Sequence, residues 1–136
     1  MRILLAAFAV LLPTPAMAES WYFVAANEDA VVFADADSLV RNGNVEKFVD
    51  FVDDDSTKYA KNSIEMDCSQ KQYRFVGSEF YDLTRKPISS EKGAGDWQTV
   101  QAGSVADALL AFACDGKRDD KVADPFEAGQ AYWDAN

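Results

Sequence analysis

The 136-residue chain contains no histidine, and this absence removes most of the common catalytic machinery. Serine and cysteine nucleophiles in the familiar triads need an imidazole base, so neither mechanism is available. Structural zinc needs about four Cys, His or carboxylate ligands, and a chain with two cysteines and no histidine falls short of such a site. We therefore expect no catalytic residue, no metal and no cofactor, and the sequence indicates a protein that is not an enzyme.

Positive charge is also scarce, with 13 Lys and Arg against 23 Asp and Glu. Nucleic acids and anionic lipid surfaces are bound through Lys and Arg, so we expect neither as a partner. The excess of acid favours solubility and is compatible with a basic partner. Two of the many carboxylates could in principle act as acid and base, but their abundance makes such a pair an unspecific signal.

Long apolar runs are absent except at the N-terminus, where about ten apolar residues follow Arg2. A membrane-spanning helix needs about 20 residues, and two prolines interrupt this run before a small-residue A-x-A pattern. We therefore predict a signal peptide over residues 1–18 that is cleaved between Ala18 and Glu19, with a retained anchor helix as the alternative. Because Glu19 and not cysteine follows the cleavage site, we expect an exported chain without a lipid anchor and without membrane insertion.

Cys68 and Cys114 are the two cysteines of the chain. Export would place their thiols in an oxidising compartment, where a pair of cysteines forms a disulfide bond. The closed loop would contain about 47 residues. The chain-entropy model predicts that such a crosslink stabilises the folded state by roughly 4 kcal/mol. We therefore predict one long-range disulfide between these residues.

Runs rich in β-branched and aromatic residues, separated by Asn, Asp and Gly, predict antiparallel strands along most of the chain after the signal peptide. The predicted strands cover residues 21–25, 30–34, 45–52, 57–68 and 72–83, with 96–100 as a shorter candidate. Gly77 is a candidate site for a β-bulge. Residues 85–95 are polar and rich in glycine, and we interpret them as a mobile loop.

Ser104 precedes an apolar stretch over residues 105–114, and Asp107 follows it by three positions, a pattern typical of a helix start. On a helical wheel the apolar residues form one face, with Cys114 at its edge. Cys68 ends a strand whose alternation points it toward the core. We therefore predict an α+β fold, with an antiparallel sheet of about five or six strands and a C-terminal α-helix that packs on it and is disulfide-linked to a strand.

Residues 116–136 are interpreted as an acidic C-terminal tail with a short helix of about two turns, because Pro125 is well placed at a first helical position. The chain has three tryptophans. We expect Trp21 and Trp97 to belong to the core. Trp133 is the candidate for contact with a partner.

One segment superficially resembles a calcium loop. Asp35, Asp37 and Glu46 stand at its first, third and twelfth positions. The fifth and sixth positions are Leu39 and Val40, where the loop needs an oxygen ligand and a glycine. We therefore favour a turn capped by a carboxylate over a calcium site.

Several short motifs follow one another in order along residues 20–115. They are D-x-D-S from Asp35, R-x-G-N from Arg41, E-x-D-C from Glu65, W-x-x-V from Trp97, G-S from Gly103 and L-L-x-x-x-C ending at Cys114. Together they resemble the bacterial surface-adhesin protein E-like family, and we assign residues 19–115 to such a domain. The resemblance implies an antiparallel sheet followed by a helix, with the strand cysteine bonded to the helix cysteine.

The resemblance also implies surface display on a bacterium and binding to host matrix or serum proteins. The first functional hypothesis is therefore an exported, non-catalytic binding module that acts through a protein partner. The alternative is a soluble periplasmic protein that interacts with other envelope components. It is favoured by Glu19, which leaves the first mature position without a lipid-modified cysteine.

Overall fold

The computed structural model describes residues 19–55 and 58–136. The predicted signal peptide over residues 1–18 lies outside the described residues, and Glu19 is the first residue described. Among these residues, no helix combines the length and apolar character needed to cross a membrane.

The described residues form one antiparallel sheet and two helices. The elements are β1 (Trp21–Ala26), β2 (Ala30–Asn42), β3 (Val45–Asp54), β4 (Lys58–Asp67), β5 (Gln72–Tyr81), β6 (Pro87–Lys92), β7 (Gln98–Thr99), α1 (Val105–Cys114), β8 (Lys121–Val122) and α2 (Pro125–Ala135). The strand order across the sheet is β6-β5-β4-β3-β2-β1-β8, and β7 pairs with the free part of β5.

The sheet therefore has eight strands, and the prediction of five or six was wrong; the fold is mostly β. The segment predicted as a mobile loop contains β6, whose six residues are all exposed. An edge strand can be polar because only one of its sides pairs and neither of its faces is covered. β7 and β8 have two residues each, too few for a periodic pattern.

Both faces of the sheet carry apolar side chains, and each face has its own helix. On one face, α1 packs on a cluster formed by Val32, Ala34, Phe48, Ile64 and Met66. On the other face, α2 packs on a cluster formed by Trp21, Val31, Phe33, Phe51 and Tyr59. Successive residues of a strand point to opposite faces, so β2 supplies neighbours in sequence to both clusters. We call these faces the α1 face and the α2 face.

The start of α1 agrees with the predicted helix. The Ser104 hydroxyl accepts a hydrogen bond from the Asp107 amide at 3.2 Å, while the Asp107 carboxylate accepts one from the Gly103 amide at 2.9 Å. The first contact satisfies a donor that the helix itself leaves unpaired, and the second fixes the residue before the N-cap on the first turn. Phe112 of α1 then packs on Phe48 of β3, with ring centroids 5.8 Å apart.

The predicted disulfide is confirmed. Cys68, directly after β4, is bonded to Cys114, the last residue of α1, and their Cα atoms are 5.7 Å apart. The bond therefore fastens the C-terminal end of α1 to the sheet that this helix covers.

Residues 116–136, predicted as an acidic tail, contribute β8 and α2. β8 pairs with β1 and becomes one edge of the sheet. α2 has 11 residues, and its Phe126 ring lies 4.6 Å from the centroid of Phe51 and 4.9 Å from that of Tyr59. Aromatic contacts at these distances stabilise beyond the area they bury, so α2 is part of the core.

A glycine allows α2 to approach the sheet closely. A Cβ atom on Gly129 would lie 2.6 Å from Oδ2 and 3.0 Å from Cβ of Asp53, a side chain that is fully buried in β3. These distances are shorter than van der Waals contact, and a fully buried carboxylate has little room to rotate away.

We predict that Cys68→Ser lowers the midpoint of thermal unfolding by at least several degrees in oxidising buffer. The disulfide closes a loop with a sequence separation of 46 residues, and the chain-entropy estimate for such a crosslink is about 4 kcal/mol. Circular dichroism during heating measures the midpoint. Reductant should lower the wild-type value to that of the variant and leave the variant unchanged. A wild-type midpoint that does not respond to reductant would contradict the prediction.

We predict that Gly129→Ala destabilises the protein although alanine is the better helix former. Helix propensity alone would favour alanine by about 1 kcal/mol, but overpacking in a filled core costs about 1–3 kcal/mol. Urea unfolding measures the difference. Gln130→Ala, on the exposed side of the same helix, is the matched control and should be nearly neutral. If Gly129→Ala is as stable as the wild type, the close approach to Asp53 does not limit the packing of α2.

Candidate functional site

A groove of about 690 Å³ lies on the part of the sheet that α2 leaves uncovered. Its floor is a row of cross-strand neighbours that runs from β2 to β6. In order, the row consists of Asp35, Val49, Ser63, Gly77 and Lys92. Cross-strand neighbours point to the same face, so the row belongs to the α2 face. We call this feature the sheet groove.

The groove exists because the centre of its floor is built from small residues. Ser63 and Gly77 are direct neighbours on β4 and β5, and a register shift beside them leaves Val76 as an extra residue in β5. The predicted bulge is thus one position from Gly77. A Cβ atom on Gly77 would meet its closest neighbour, the Glu91 carbonyl oxygen, at an ordinary 3.5 Å. The absence of a side chain at Gly77 therefore leaves space in the groove, although the backbone there would also accept a larger residue.

The rim beside α2 is formed by Glu19, Trp21 and Lys61. The Lys61 ammonium is 3.6 Å from the Glu19 carboxylate and 5.5 Å from the centroid of the Trp21 ring. The Trp21 indole donates a hydrogen bond of 3.0 Å to the same carboxylate. Glu19, the residue expected to begin the mature chain, is thus held at the rim of the groove.

Two further acidic side chains of the groove are also engaged, whereas Glu91 is the cross-strand neighbour of Ser78 and therefore lies on the opposite face. The Asp35 carboxylate is buried and accepts hydrogen bonds from the amides of Ser20 at 2.8 Å and Asp37 at 3.0 Å. The Glu79 carboxylate accepts a hydrogen bond of 2.7 Å from the Tyr81 hydroxyl. Burial, followed by this hydrogen bond, raises the pKa of Tyr81 to about 12. Tyr81 therefore stays a neutral donor at physiological pH.

The D-x-D-S motif lies within β2, so the prediction of a turn at this position was wrong, and the motif supports the strand backbone instead. The strand shifts register against β3 between Asp35 and Val40. Ser38 bridges the interruption, because its hydroxyl donates to the Asp35 carbonyl at 2.7 Å and accepts from the Val49 amide at 2.8 Å. Glu46 pairs with Arg41 at 2.6 Å. Across residues 19–55 and 58–136, no group of three or more carboxylate, Cys or His side chains could hold a metal ion.

The three tryptophans occupy different environments. Trp21 is buried, as expected, but Trp97 is 36% exposed and the prediction that it lies in the core was wrong. The Trp97 ring stacks on the Arg74 guanidinium at 4.5 Å, and Arg74 is fixed by Glu65 at 2.7 Å. Trp97 follows a polar, glycine-rich segment, and this cation–π contact replaces burial.

Trp133 is half-buried in the apolar cluster of the α2 face. Its indole Nε1 is buried and makes no hydrogen bond among the described residues. Much of the side chain thus packs inward. The contact with a partner that the sequence suggests for Trp133 stays a prediction.

No local pattern of the sequence predicts the sheet groove. Ser63 and Gly77 lie in different strands, and no local pattern joins them to Lys47 or Lys92. Small residues at interior strand positions are the one available signal, and Gly77 by itself predicts only a bulge. The register that places these residues in one groove depends on long-range pairing.

A second polar feature lies on the α1 face. Asn62 donates to the Asp50 carboxylate at 2.8 Å and accepts from the Ser78 hydroxyl at 2.7 Å, so a row of side-chain hydrogen bonds crosses β3, β4 and β5. Asp50 is 2% exposed. Burial raises the pKa of Asp50 to about 7, although the hydrogen bonds with Asn62 oppose this shift. The row is a buried polar layer within an apolar sheet.

We predict that Asp50 lowers the free energy of unfolding as the pH rises from about 4 to about 7. In this window the folded state keeps the Asp50 proton while the unfolded chain has released it, so the stabilisation present at low pH is lost. Three pH units correspond to an upper limit of about 4 kcal/mol. Urea unfolding of wild type and Asp50→Asn at pH 5 and pH 7.5 measures the effect: the variant should gain relative stability at pH 7.5. Asp96→Asn, at an exposed position, is the control and should follow the wild type at both pH values. The prediction is contradicted if the stability of Asp50→Asn changes with pH as that of the wild type does.

The family model for surface-adhesin protein E matches residues 21–115. This span begins with β1 and ends just after the disulfide-bonded helix α1, and it confirms the resemblance inferred from the sequence. Comparisons with curated proteins and with solved structures find no match. The chain belongs to the surface-adhesin protein E family.

Proposed function

We propose that this protein is an exported, non-catalytic binding module that attaches to a protein partner, with host matrix and serum proteins as the candidates. The observation that carries the proposal is the sheet groove, an open recess in a member of a surface-adhesin family. Its volume of about 690 Å³ lies within the range of ligand sites. Most of the residues that line it are charged or polar, and their side chains also present apolar surface, a mixture that suits a segment of a protein.

A binding role without catalysis is consistent with the state of the acidic groups in the groove. Glu19, Asp35 and Glu79 are each engaged by neighbouring donors. These contacts occupy both oxygens of Glu19 and one oxygen each of Asp35 and Glu79. The chain also has no histidine to act in their place.

Export is part of the same proposal. The apolar N-terminal segment ends before Glu19, and the first residues after the expected cleavage site enter β1 directly. The buried Trp21 side chain and the bond between Glu19 and Lys61 hold this new terminus on the domain. Cleavage between Ala18 and Glu19 would thus leave the folded unit intact.

The protein should bind at least one member of a panel of matrix and serum proteins when it is purified after export and immobilised. Surface plasmon resonance measures the binding. Reduced and alkylated protein has the same charge without the disulfide and should bind less. Absence of binding to every panel member would leave the family membership and remove the proposed adhesion.

Gly77→Leu tests the role of the groove in that binding. The new side chain would fill the floor without a clash at Cβ, so we expect at least about tenfold weaker binding, the loss typical of a blocked contact centre. Ser89→Leu is the matched control. Ser89 is exposed on β6 and pairs with Phe80, so it lies on the opposite face. Equal binding by Gly77→Leu and wild type would place the contact surface elsewhere.

The second candidate function is that of a soluble periplasmic protein with an envelope partner, favoured by Glu19 at the first mature position. Protease added to intact cells distinguishes the two. Degradation indicates surface display, and protection indicates the periplasm. Permeabilised cells are the control, because the protease must be able to degrade the folded protein there.

A further inference from the structure

Two lysines mark opposite ends of the sheet groove. Lys92 ends the floor row on β6, and Lys47 lies two residues before Val49 on β3. Three strand spacings and two residues separate their Cα atoms, which gives a distance of about 16 Å. Both lysines are exposed. Their ammonium groups can therefore reach a ligand that lies along the floor.

Neither lysine forms an ion pair within the described part of the chain. The cross-strand neighbour of Lys47 is Glu65, but Arg74 engages that carboxylate at 2.7 Å. Lys92 lies beside Gly77, which has no side chain. The third lysine of the groove, Lys61, is paired with Glu19. Lys47 and Lys92 are thus two cations of the groove without an ion-pair partner among the described residues, whereas Glu19, Asp35 and Glu79 accept hydrogen bonds or an ion pair. The whole chain has a net charge of −10.

We propose that the sheet groove binds an extended acidic segment of the partner protein, with one carboxylate on Lys47 and a second on Lys92. The inference rests on the proposed binding function and names the chemistry of its partner. Residues four apart in an extended peptide are about 13 Å from one another, a spacing that two flexible lysine side chains can match. Ser63 and Gly77 leave room for the uncharged residues between the two carboxylates.

The same charges disfavour a dense polyanion. Glu19, Asp35 and Glu79 line the groove together with the lysines, and a ligand with a negative charge on every unit would approach them closely. The acidic surface as a whole also repels such a chain at long range. Two spaced carboxylates satisfy the two lysines and avoid this repulsion, so a peptide segment fits better than a sulfated polysaccharide.

The test uses the exported protein and a fluorescent peptide of serine, glycine and threonine with two glutamates four residues apart. Anisotropy should detect binding below about 1 mM, and added salt should weaken it because exposed charge pairs are screened. A peptide with glutamines in place of both glutamates should not bind. Lys47→Glu and Lys92→Glu should each weaken binding by about three- to tenfold, the range expected when an exposed ion pair becomes a repulsion.

Lys121→Glu is the matched control, because Lys121 is exposed on β8, at the far edge of the sheet, and gives the same change of net charge. It should leave binding unchanged, and thermal unfolding should confirm that all three variants are folded. The proposal is overturned if the glutamine peptide binds equally, if Lys121→Glu weakens binding as much as Lys47→Glu, or if a heparin-type polyanion binds while the peptide does not. Absence of peptide binding at about 1 mM also overturns it.

The failure of this inference can be separated from the failure of the proposed function. If a matrix or serum protein binds the wild type and both groove variants equally, the protein is a binding module whose partner does not use these lysines. If no panel protein binds but the acidic peptide does, the groove has the inferred chemistry and the proposed class of partner is wrong.

Discussion

The structure depends on a sheet whose central strands are apolar on both faces. β2 carries Val31 and Phe33 toward α2 and Val32 and Ala34 toward α1, and these side chains are nearly inaccessible to solvent. A sheet of this kind is stable only if both faces are covered. The two helices meet this need in different ways, since the disulfide ties α1 to the sheet, whereas aromatic contacts of Phe126 hold α2.

The sheet groove lies beside α2 along the direction of the strands. α2 packs on the cross-strand row of Val31, Asp53, Tyr59 and Tyr81, and the floor of the groove lies four residues, or about 13 Å, further along the same four strands. The α2 face changes along the strands from aromatic residues under the helix to lysines, carboxylates and small residues beyond it. Lys61 stands at the border, with its ammonium over the ring of the buried Trp21 and beside Glu19.

Local patterns were sufficient to predict the parts of the fold that have strong periodicity. The strands β1, β3, β4 and β5, the capped start of α1 and the pairing of Cys68 with Cys114 agree with the sequence analysis, whereas β2 continues to Asn42, eight residues beyond its predicted end. β6 could not be recognised because an exposed edge strand needs no apolar residues, and β7 and β8 are defined only by the strands they join. The groove could not be predicted because its residues meet through the registers of four strand pairs, each of which depends on the whole sheet.

The order of the elements along the chain has a consequence for biosynthesis. β1 is completed on its outer side by β8, and the aromatic residues of the α2 face are covered by α2, yet both elements lie within the last 16 residues. Until these residues are available, Phe33, Phe51 and Tyr59 form an open aromatic surface next to an unpaired strand, a combination that promotes association between chains. The aromatic surface and the outer edge of β1 thus stay exposed until synthesis is complete. A chain truncated before Lys121 would expose both permanently.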